Sequence, residues 1–362
     1  MKIKTINAGK YKVYIGDDVF RELSNLLNYS SFKYSNIYVL ADENSLQFCY
    51  PQMVQQVKRL HEAEIIEIVS GEQNKNIDVC RNIWETLSNL GADRNSVLIN
   101  VGGGVIGDMG GFAAASFKRG IAFINVPTTL LAQVDASVGG KLGIDLNNLK
   151  NEIGFFGEPS AVFIYPKFLN TLSERQKLSG FAEVVKHALI ADKKYWKEVQ
   201  ETYRNEDREK IILRSIEIKN SIVKKDPKEK GIRKALNFGH TIGHAIETYS
   251  LEGGGIHLLH GEAIAIGMVC ETYLSALKCK LDKSLLAEIS SFILHSFRSA
   301  KLDKFDDHRL IELMRHDKKN SKGKINFTLL SAIGKVHVDK DCSVEEIKKA
   351  LNYYREQAKM SA

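Results

Sequence analysis

The stretch SVLINVGGG at 96–104, followed by VIGDMGGFAAA at 105–115, decides the fold. A continuous apolar run of this length is typical of a buried parallel strand, and the glycines that end it lead into a segment with helical character. The segments Asn44–His61 and Ile77–Leu90 also have helical spacing. Similar apolar runs are NIYVLAD at 36–42, EIIEIVS at 64–70, IAFINVPTT at 121–129 and AVFIYP at 161–166. The first part of the chain is therefore predicted to be an α/β domain with a parallel sheet.

The pattern changes near residue 172. From Ser173 onward, apolar residues are spaced three and four apart, as in SERQKLSGFAEVVKHALIADKKYWKEVQETY at 173–203. A strand pattern returns only in INFTLLSAIGKVHV at 325–338. The length of 362 residues fits about two domains. We therefore predict an α/β domain at 1–172 and a mostly helical domain at 173–362.

Composition excludes several classes of protein. The chain has 51 Lys and Arg against 44 Asp and Glu, so its net charge is +7, and 44% of its residues are hydrophobic, which argues against a disordered or fibrous chain. The densest charge run, KKDPKEKGIRK at 224–234, has no interleaved aromatic residues, so nucleic-acid binding is not predicted. The five cysteines are scattered, which indicates reduced thiols. No apolar run is long enough for a membrane span, so no membrane partner is expected. The expectation is a cytoplasmic protein.

The glycine loop has features of a phosphate-binding turn. It contains GxGxxG between a strand and a helix, where backbone N–H groups can approach a pyrophosphate. The acidic residue expected about 20 positions later is missing, so a tightly packed structural turn is the alternative, and Asp108 either meets a ligand or caps the helix. The loop SGEQNK at 70–75 and the pair Thr128 and Thr129 also follow strands. Together these loops favour nucleotide binding.

Histidines and a glutamate in the helical half suggest a metal site. His240 and His244 are four residues apart and share one helical face, His260 begins HGEAIAIGM, and GFAEVVKH contains Glu183 and His187. Two histidines and one carboxylate are a usual catalytic zinc set. Spacing alone does not decide which three bind. The HxxxH spacing lacks the glutamate of HExxH, so peptide hydrolysis is not predicted.

These residues lie in a series of motifs that resembles the 3-dehydroquinate synthase family, the sugar-phosphate cyclases of the shikimate pathway to chorismate and the aromatic amino acids. The resemblance covers most of the chain and implies a Rossmann-like NAD-binding domain, a mostly helical metal- and substrate-binding domain, and a homodimer. The motifs are SGEQNK at 70–75, GGGVIGDMGGF at 102–112, FKRG at 117–120, VPTTLLAQVDASVGGKLGID at 126–145, KN at 150–151, FLNTL at 168–172, GFAEVVKH at 180–187, EKGIRKALNFGHTIGHAIE at 229–247, HGEAIAIGM at 260–268 and DKKN at 317–320.

The resemblance also implies roles for individual residues. The implied ligands of Zn²⁺ or Co²⁺ are Glu183, His240 and His260. The implied catalytic residues are Lys186, His244, Asp135, Lys141 and Asn151. The implied substrate contacts are Arg119, Lys150, Lys219, Arg233, Asn237 and Lys318, with Lys319 as the alternative to Lys318. The implied NAD contacts are Asp42, Ser70, Gly71, Glu72, Gln73, Asn74, Lys75, Gly104, Val105, Ile106, Gly107, Asp108, Thr128, Thr129, Lys141, Lys150, Phe168, Leu169, Asn170 and Thr171.

The implied reaction converts 3-deoxy-D-arabino-heptulosonate 7-phosphate to 3-dehydroquinate and phosphate. Its stages are transient oxidation by NAD, phosphate elimination, re-reduction and intramolecular aldol closure. The many cations suit a substrate with a carboxylate and a phosphate, because charge-assisted hydrogen bonds to both are strong in a shielded site. The alternatives are a related sugar-phosphate cyclase and a metal-dependent glycerol or alcohol dehydrogenase, whose uncharged substrate needs no phosphate cradle.

Three features depart from the family pattern. Leu149 stands where a glycine is usual before the Lys-Asn pair, and GFF at 154–156 replaces the common GAF. The stretch at 248–259 is longer than in many relatives and includes three consecutive glycines at 253–255. These departures concern loop shape, while the residues implied to carry the reaction are present.

Overall fold

The compact units of the structure have other bounds than the predicted domains 1–172 and 173–362, which stay a prediction. The computed structural model describes residues 3–28, 34–147, 149–202, 208–252, 257–297, 302–303, 305–316 and 325–360. The chain forms two compact units, Met1–Lys177 with Arg208–Asn220, and Leu178–Asp207 with Ser221–Ala362.

The first unit contains a seven-stranded sheet. All five strands predicted from the apolar runs are confirmed, and they pair in parallel. The apolar runs did not predict the hairpin at the edge of the sheet. Its two strands, Lys4–Ala8 and Tyr11–Ile15, are antiparallel to each other, and Tyr11–Ile15 pairs in parallel with Ala161–Ile164. The strands are β1 (Lys4–Ala8), β2 (Tyr11–Ile15), β3 (Ile37–Asp42), β4 (Glu64–Ile68), β5 (Val97–Gly102), β6 (Ala122–Pro127) and β9 (Ala161–Ile164), in the order β1-β2-β9-β6-β5-β3-β4.

Helices cover both faces of this sheet, because alternate residues of a strand point to opposite sides. Val39 packs in a core with Phe20, and its neighbour Leu40 packs in a second core with Ile83 and Met109. The helices of this unit are α1 (Val19–Asn28), α2 (Glu43–Phe48), α3 (Tyr50–Val54), α4 (Ile77–Asn89) and α5 (Gly104–Ser116). This arrangement confirms the α/β fold class.

The helix expected across Asn44–His61 is not continuous. It is divided into α2, α3 and a 3₁₀ turn at Lys58–Glu62, because Pro51 lies in the first turn of α3 and has no N–H with which to continue α2. A second hairpin was also missed, formed by β7 (Lys141–Leu146) and β8 (Leu149–Phe156). Gly111 lets this hairpin lie on α5, since an added Cβ would overlap Leu142.

The second unit is mostly helical, as predicted. Its hairpin of β10 (Asn326–Ala332) and β11 (Lys335–Asp341) occupies the segment where the strand pattern returns. None of the helices in the described ranges is long and apolar enough to span a bilayer. The remaining helices, of which α6 and α8 contribute residues to both units, are α6 (Glu174–Ala191), α7 (Lys193–Thr202), α8 (Arg208–Lys225), α9 (His240–Leu251), α10 (His260–Cys279), α11 (Lys283–Ser296), α12 (Asp307–His316) and α13 (Val344–Met360).

Candidate active site

Glycines allow α10 to lie unusually close to two other helices. A Cβ added at Gly261 would overlap the carbonyl oxygen of Ser179 on α6, and one added at Gly267 would overlap the carbonyl oxygen of Gly239 just before α9. The Ser179 hydroxyl accepts a hydrogen bond from Gly261 N at 3.0 Å, which holds the first of these contacts. The start of α10 therefore lies against α6, and its middle lies against the start of α9.

We expect Gly267→Ala to damage the site through this packing. Because its Cβ would meet the backbone at Gly239 and Gly243, the main chain must shift, and such overpacking costs about 1–3 kcal/mol. Chemical denaturation would measure that loss. The control is Gly107→Ala in α5, where an added Cβ has no atom within 4 Å and unfolding stability should be unchanged or higher. Equal stability of Gly267→Ala and the native protein would contradict this account of the packing.

The three implied metal ligands come together in the second unit. Glu183 Oε1 lies 3.4 Å from His240 Nε2 and 3.6 Å from His260 Nε2. The other ring nitrogens are already engaged, since His240 Nδ1 donates to Phe238 O at 3.1 Å and His260 Nδ1 donates to Glu247 Oε2 at 3.0 Å. Both Nε2 lone pairs therefore face one carboxylate. This N/N/O set is one that zinc or cobalt accepts.

Burial supports the neutral imidazole that metal binding needs. Desolvation holds the pKa of His240 well below its ordinary value, against the attraction of Glu183. The ring of His244 lies 5.1 Å from that of His240 and 5.9 Å from that of His260, measured between centroids. His244, Glu247 and His260 form a second, overlapping group of possible ligands. The ligand atoms of Glu183, His240 and His260 also lie close together, and their role as the metal ligands stays a prediction.

Lys186 belongs to the same cluster. Its ammonium group donates a hydrogen bond to Glu183 Oε2, and both side chains are buried on adjacent turns of α6. Glu183 therefore directs one oxygen to the histidines and the other to a cation. His187 is also buried on α6, but it is not a member of the Glu183, His240 and His260 group.

Two further predicted residues lie in the segment before α9. Arg233 is buried, and its guanidinium donates to Pro227 O at 2.6 Å. Asn237 Nδ2 donates to Glu229 Oε1 at 2.8 Å. Lys318, with its alternative Lys319, lies outside the described residues, as does the glycine run at 253–255.

A second cluster of predicted residues lies in the first unit. Lys75 Nζ donates to Asp108 Oδ2 at 2.7 Å and to Asn151 Oδ1 at 2.6 Å. Lys150 Nζ lies 3.1 Å from Glu72 Oε1. Burial alone would lower the pKa of Lys75, but the carboxylates around it, Asp108 foremost, outweigh burial and raise it. The Lys75 ammonium thus joins the 70–75 loop, the start of α5 and the β7–β8 hairpin.

Asp145, for which the resemblance implied no role, supports the turn that contains Asn151. Its Oδ1 accepts a hydrogen bond from Asn151 N at 2.7 Å, and its own N–H donates to Lys75 O at 2.8 Å. Asn151 has a φ of +51°, which a non-glycine residue rarely adopts without support. Asp145 therefore fixes the turn that presents Asn151. Lys141 is exposed at the start of β7.

Two other predicted residues of this unit form a separate pair. Lys219 Nζ lies 2.8 Å from Asp135 Oδ2 and donates to Asp135 O at 2.7 Å. Arg119 is exposed in a turn where it and Lys118 have φ values of +69° and +51°. Its guanidinium makes no hydrogen bond with any residue in the described ranges. Strained backbone of this kind is common at functional sites.

The glycine loop fits an anion at a helix N-terminus. Gly103 is the N-cap of α5 without a side-chain cap, and a Cβ at Gly102 would overlap Ile106, so the loop must be glycine to stay this tight. Thr128 N donates to Gly102 O at 2.9 Å, which joins β6 to the loop. A pocket lies at this loop. Its lining includes Gly103, Gly104, Gly107, Asn125, Pro127 and Ala136. The first N–H groups of α5 have no partner within the helix and no side-chain cap, which makes the loop a candidate phosphate site.

The remaining implied NAD contacts divide by burial. The carboxylate of Asp42 caps α2 by accepting from Ser45 N at 2.7 Å. The side chains of Phe168 and Leu169 are buried, Phe168 in the core against Phe20, so only their backbone could reach a cofactor. Asn170 and Thr171 are exposed. Of the 70–75 loop, Gly71 has a φ of +110° and residues 72–74 form a 3₁₀ turn.

Solved structures define the class of this fold. The crystal structure of 2-deoxy-scyllo-inosose synthase complexed with carbaglucose-6-phosphate, NAD⁺ and Co²⁺ is similar with a TM-score of 0.84 and 27% identity, over 98% of this chain and 99% of that one. ValA, the 2-epi-5-epi-valiolone synthase from Streptomyces hygroscopicus subsp. jinggangensis 5008, shares the fold with a TM-score of 0.82 and 21% identity, over 99% of this chain and 100% of that one. The fold is that of the sugar-phosphate cyclases.

Sequence comparison defines the family within that class. Residues 65–179 match the model of the 3-dehydroquinate synthase N-terminal domain, and residues 180–320 match that of the C-terminal domain. The 3-dehydroquinate synthase of Parabacteroides distasonis is 45% identical over 349 residues, which are 95% of this chain and 98% of that protein. The chain belongs to the 3-dehydroquinate synthase family, which confirms the resemblance.

Proposed function

We propose that this protein is an NAD- and divalent-metal-dependent carbon–oxygen lyase. It converts 3-deoxy-D-arabino-heptulosonate 7-phosphate to 3-dehydroquinate and phosphate. Family membership supports the reaction. The observation that carries the proposed metal dependence is the buried cluster in which the Nε2 atoms of His240 and His260 face one oxygen of Glu183.

The residues present fit the groups that the reaction needs. Glu183, His240 and His260 would hold Zn²⁺ or Co²⁺, and the residues of the glycine loop and the 70–75 loop would hold NAD. A bound metal would supply Lewis-acid polarisation of substrate hydroxyls, and bound NAD would supply reversible hydride transfer. The relatives solved with NAD⁺ and Co²⁺, or with NAD⁺ and Zn²⁺, support the same pair of cofactors here.

The chain's own side chains then bind and orient the substrate. Lys150, Lys219 and Arg233 are buried or nearly buried cations, which suits them to a phosphate and a carboxylate. Their present partners are a carboxylate or carbonyl oxygen, which an anionic substrate can replace. Asp135 and Asn151 orient substrate hydroxyls by hydrogen bonds, which replace their present bonds to Lys219 and Lys75.

Proton transfer falls to two groups beside the metal ligands. Lys186 Nζ is held by Glu183 Oε2, and the His244 ring lies next to both ligating rings. A neutral imidazole can both accept and donate a proton near neutral pH, which suits His244 for this task. Together with Asp135, Lys141 and Asn151, whose roles the family resemblance implies, Lys186 and His244 make up the proposed catalytic set.

Nicotinamide absorbance separates this function from the dehydrogenase alternative. Because a cyclase returns the hydride within each turnover, no NADH should accumulate while substrate is consumed. A glycerol or alcohol dehydrogenase would accumulate NADH in proportion to product. Steady NADH formation from glycerol, with no consumption of the heptulosonate phosphate, would overturn the proposal.

We infer further that the protein is a cytoplasmic homodimer. All five cysteines are free thiols, and four of them are buried, which suits a reducing compartment. The dimer is inferred from the family resemblance. Light scattering of the purified full-length chain should give twice the monomer mass, and a monomer at assay concentrations would contradict this inference. Cell fractionation tests the compartment.

A further inference from the structure

The N-terminal N–H groups of α9 have no side-chain cap from the helix's own N-cap residue. That residue, Gly239, has a φ of +81°, and a Cβ added there would lie 2.5 Å from Met268 Cγ and 3.1 Å from Ile264 O on α10. The position therefore requires glycine. Glycine has no side chain to satisfy the first four N–H groups of the helix, which have no partner within it. These groups are buried together with His240, the first residue of α9.

Glu271 of α10 satisfies three of these groups. Its Oε2 accepts from Gly239 N at 2.7 Å, and its Oε1 accepts from Thr241 N at 3.0 Å and from Ile242 N at 3.2 Å. The carboxylate belongs to a residue with 0% exposure. A negative charge at a helix N-terminus is also favoured by the helix dipole. Glu271 thus caps α9 from a neighbouring helix.

The same carboxylate is linked to the ring of His240 through one peptide group. The peptide between Phe238 and Gly239 donates its N–H to Glu271 and accepts His240 Nδ1–H at its carbonyl oxygen, 3.1 Å away. Hydrogen bonds in such a chain polarise one another. Because a carbonyl oxygen only accepts, this bond places the hydrogen on Nδ1 and leaves the lone pair on Nε2, the atom that faces Glu183.

We infer that Glu271 is a positioning residue of the metal centre, acting through the Phe238–Gly239 peptide to hold His240 with Nε2 directed at a divalent cation. This inference rests on the proposed metal dependence. Glu247 orients the other histidine more directly, because its carboxylate accepts the hydrogen bond of His260 Nδ1 itself. Partners of this kind commonly change metal affinity about 10–100-fold when they are lost.

The test compares Glu271→Gln with the native protein. The amide keeps the shape of the side chain but loses the charge, and its NH₂ group would face a backbone N–H. We expect the affinity for Zn²⁺ and Co²⁺, measured by chelator competition, to fall about 10-fold or more. The visible spectrum of the Co²⁺-loaded variant should also shift, because the ligand geometry changes.

The matched control is Glu346→Gln. Glu346 also caps a helix, since its Oε2 accepts from Ser343 N at 2.7 Å at the start of α13, but this bond does not involve the peptide next to a proposed ligand. Its substitution should leave metal affinity and the Co²⁺ spectrum unchanged, whatever its effect on thermal unfolding. A merely structural cap at Glu271 would behave in the same way, lowering stability alone, and that result would overturn the inference.

A measurement on the native apo-protein covers the case in which Glu271→Gln does not fold. Nitrogen-15 NMR of labelled histidines, with the His240 signals assigned by their loss in His240→Gln, should show hydrogen on Nδ1. Hydrogen on Nε2 would contradict the proposed link. The two levels of the proposal fail differently: native protein that binds no metal overturns the proposed function, whereas equal affinity of native protein and Glu271→Gln overturns only the role of Glu271.

Discussion

The His260→Ala variant is expected to lose its metal ion and its turnover together. Removal of the imidazole leaves Glu183 and His240 as an incomplete pair, and it leaves the Glu247 carboxylate without its bond to Nδ1. Metal affinity should fall by more than about 100-fold, the upper end of what loss of an outer partner alone costs. Metal content after dialysis, measured by atomic emission, and phosphate release together check this result.

NAD binding separates loss of metal from general damage in this variant. The residues implied to bind NAD lie in the first unit, whereas His260 lies in the second, so His260→Ala should still bind NAD in a fluorescence titration. The control is His308→Ala, which removes an exposed histidine of α12 that lies 3.7 Å from Glu312. It should retain metal and activity. A metal-free His260→Ala protein with full turnover would refute the assignment of the site.

The second large effect is expected for Lys75→Met. The substitution removes a buried cation, which leaves the partly exposed carboxylate of Asp108 without its ion pair and removes a hydrogen bond to Asn151 Oδ1. Breaking one side of a fully buried ion pair costs about 3–5 kcal/mol. Because Asp108 is 22% exposed, water can compensate part of its charge, and the expected loss lies below that range. Urea unfolding should show this loss at neutral pH, and NAD affinity should fall with it.

The pH dependence has a definite sign. The carboxylates raise the pKa of Lys75 in the folded protein, so its contribution is complete at neutral pH and is lost only when alkaline pH removes the proton. In Lys75→Met, burial favours the protonated form of Asp108 and Asp145. Lowering the pH from about 7.5 to about 5 should therefore restore part of the lost stability.

An exposed ion pair provides the comparison for Lys75. Lys234 lies 2.7 Å from Asp339, with both side chains partly exposed, and Lys234→Met should change stability by less than about 1 kcal/mol. If Lys75→Met were equally mild, the buried cluster would not be a structural unit of the cofactor loops.

Much of the fold can be predicted from the sequence, because strands buried on both faces of a parallel sheet consist of continuous apolar runs. All five such runs became strands of the sheet. The β1–β2 hairpin was not predicted, because its strands alternate between more buried and more exposed residues, as Tyr11–Ile15 does, and so contain no continuous apolar run. The β7–β8 hairpin was not predicted either, because glycines and charged residues interrupt its apolar residues. It is positioned by packing against α5, where Leu142 lies close to Gly111.

The proposed site could be predicted only as far as its motifs reach. The spacing of His240 and His244 predicted a shared helical face, but only the folded helices place Glu183 opposite two Nε2 atoms. Glu247 lies three residues after His244 and could have been found by helical spacing. Glu271 and Asp145 could not, because their partners are backbone N–H groups distant in sequence or in a turn, and no side-chain pattern records such bonds.

The net charge of +7 takes on a more local meaning in the structure. Several of the implied binding cations are buried against carboxylates or carbonyl oxygens, as Lys75, Lys186, Lys219 and Arg233 show. Of these four, Lys219 and Arg233 are the cations that we propose bind the two anionic groups of the substrate.

The most direct test of the proposed function is phosphate release from 3-deoxy-D-arabino-heptulosonate 7-phosphate. The assay compares the complete mixture with mixtures that lack NAD or contain a metal chelator. The account predicts phosphate and 3-dehydroquinate in equal amounts from the complete mixture, loss of both with chelator or without NAD, and recovery when Zn²⁺ or Co²⁺ is restored. No phosphate release by protein shown to be folded and loaded with NAD and metal would contradict it.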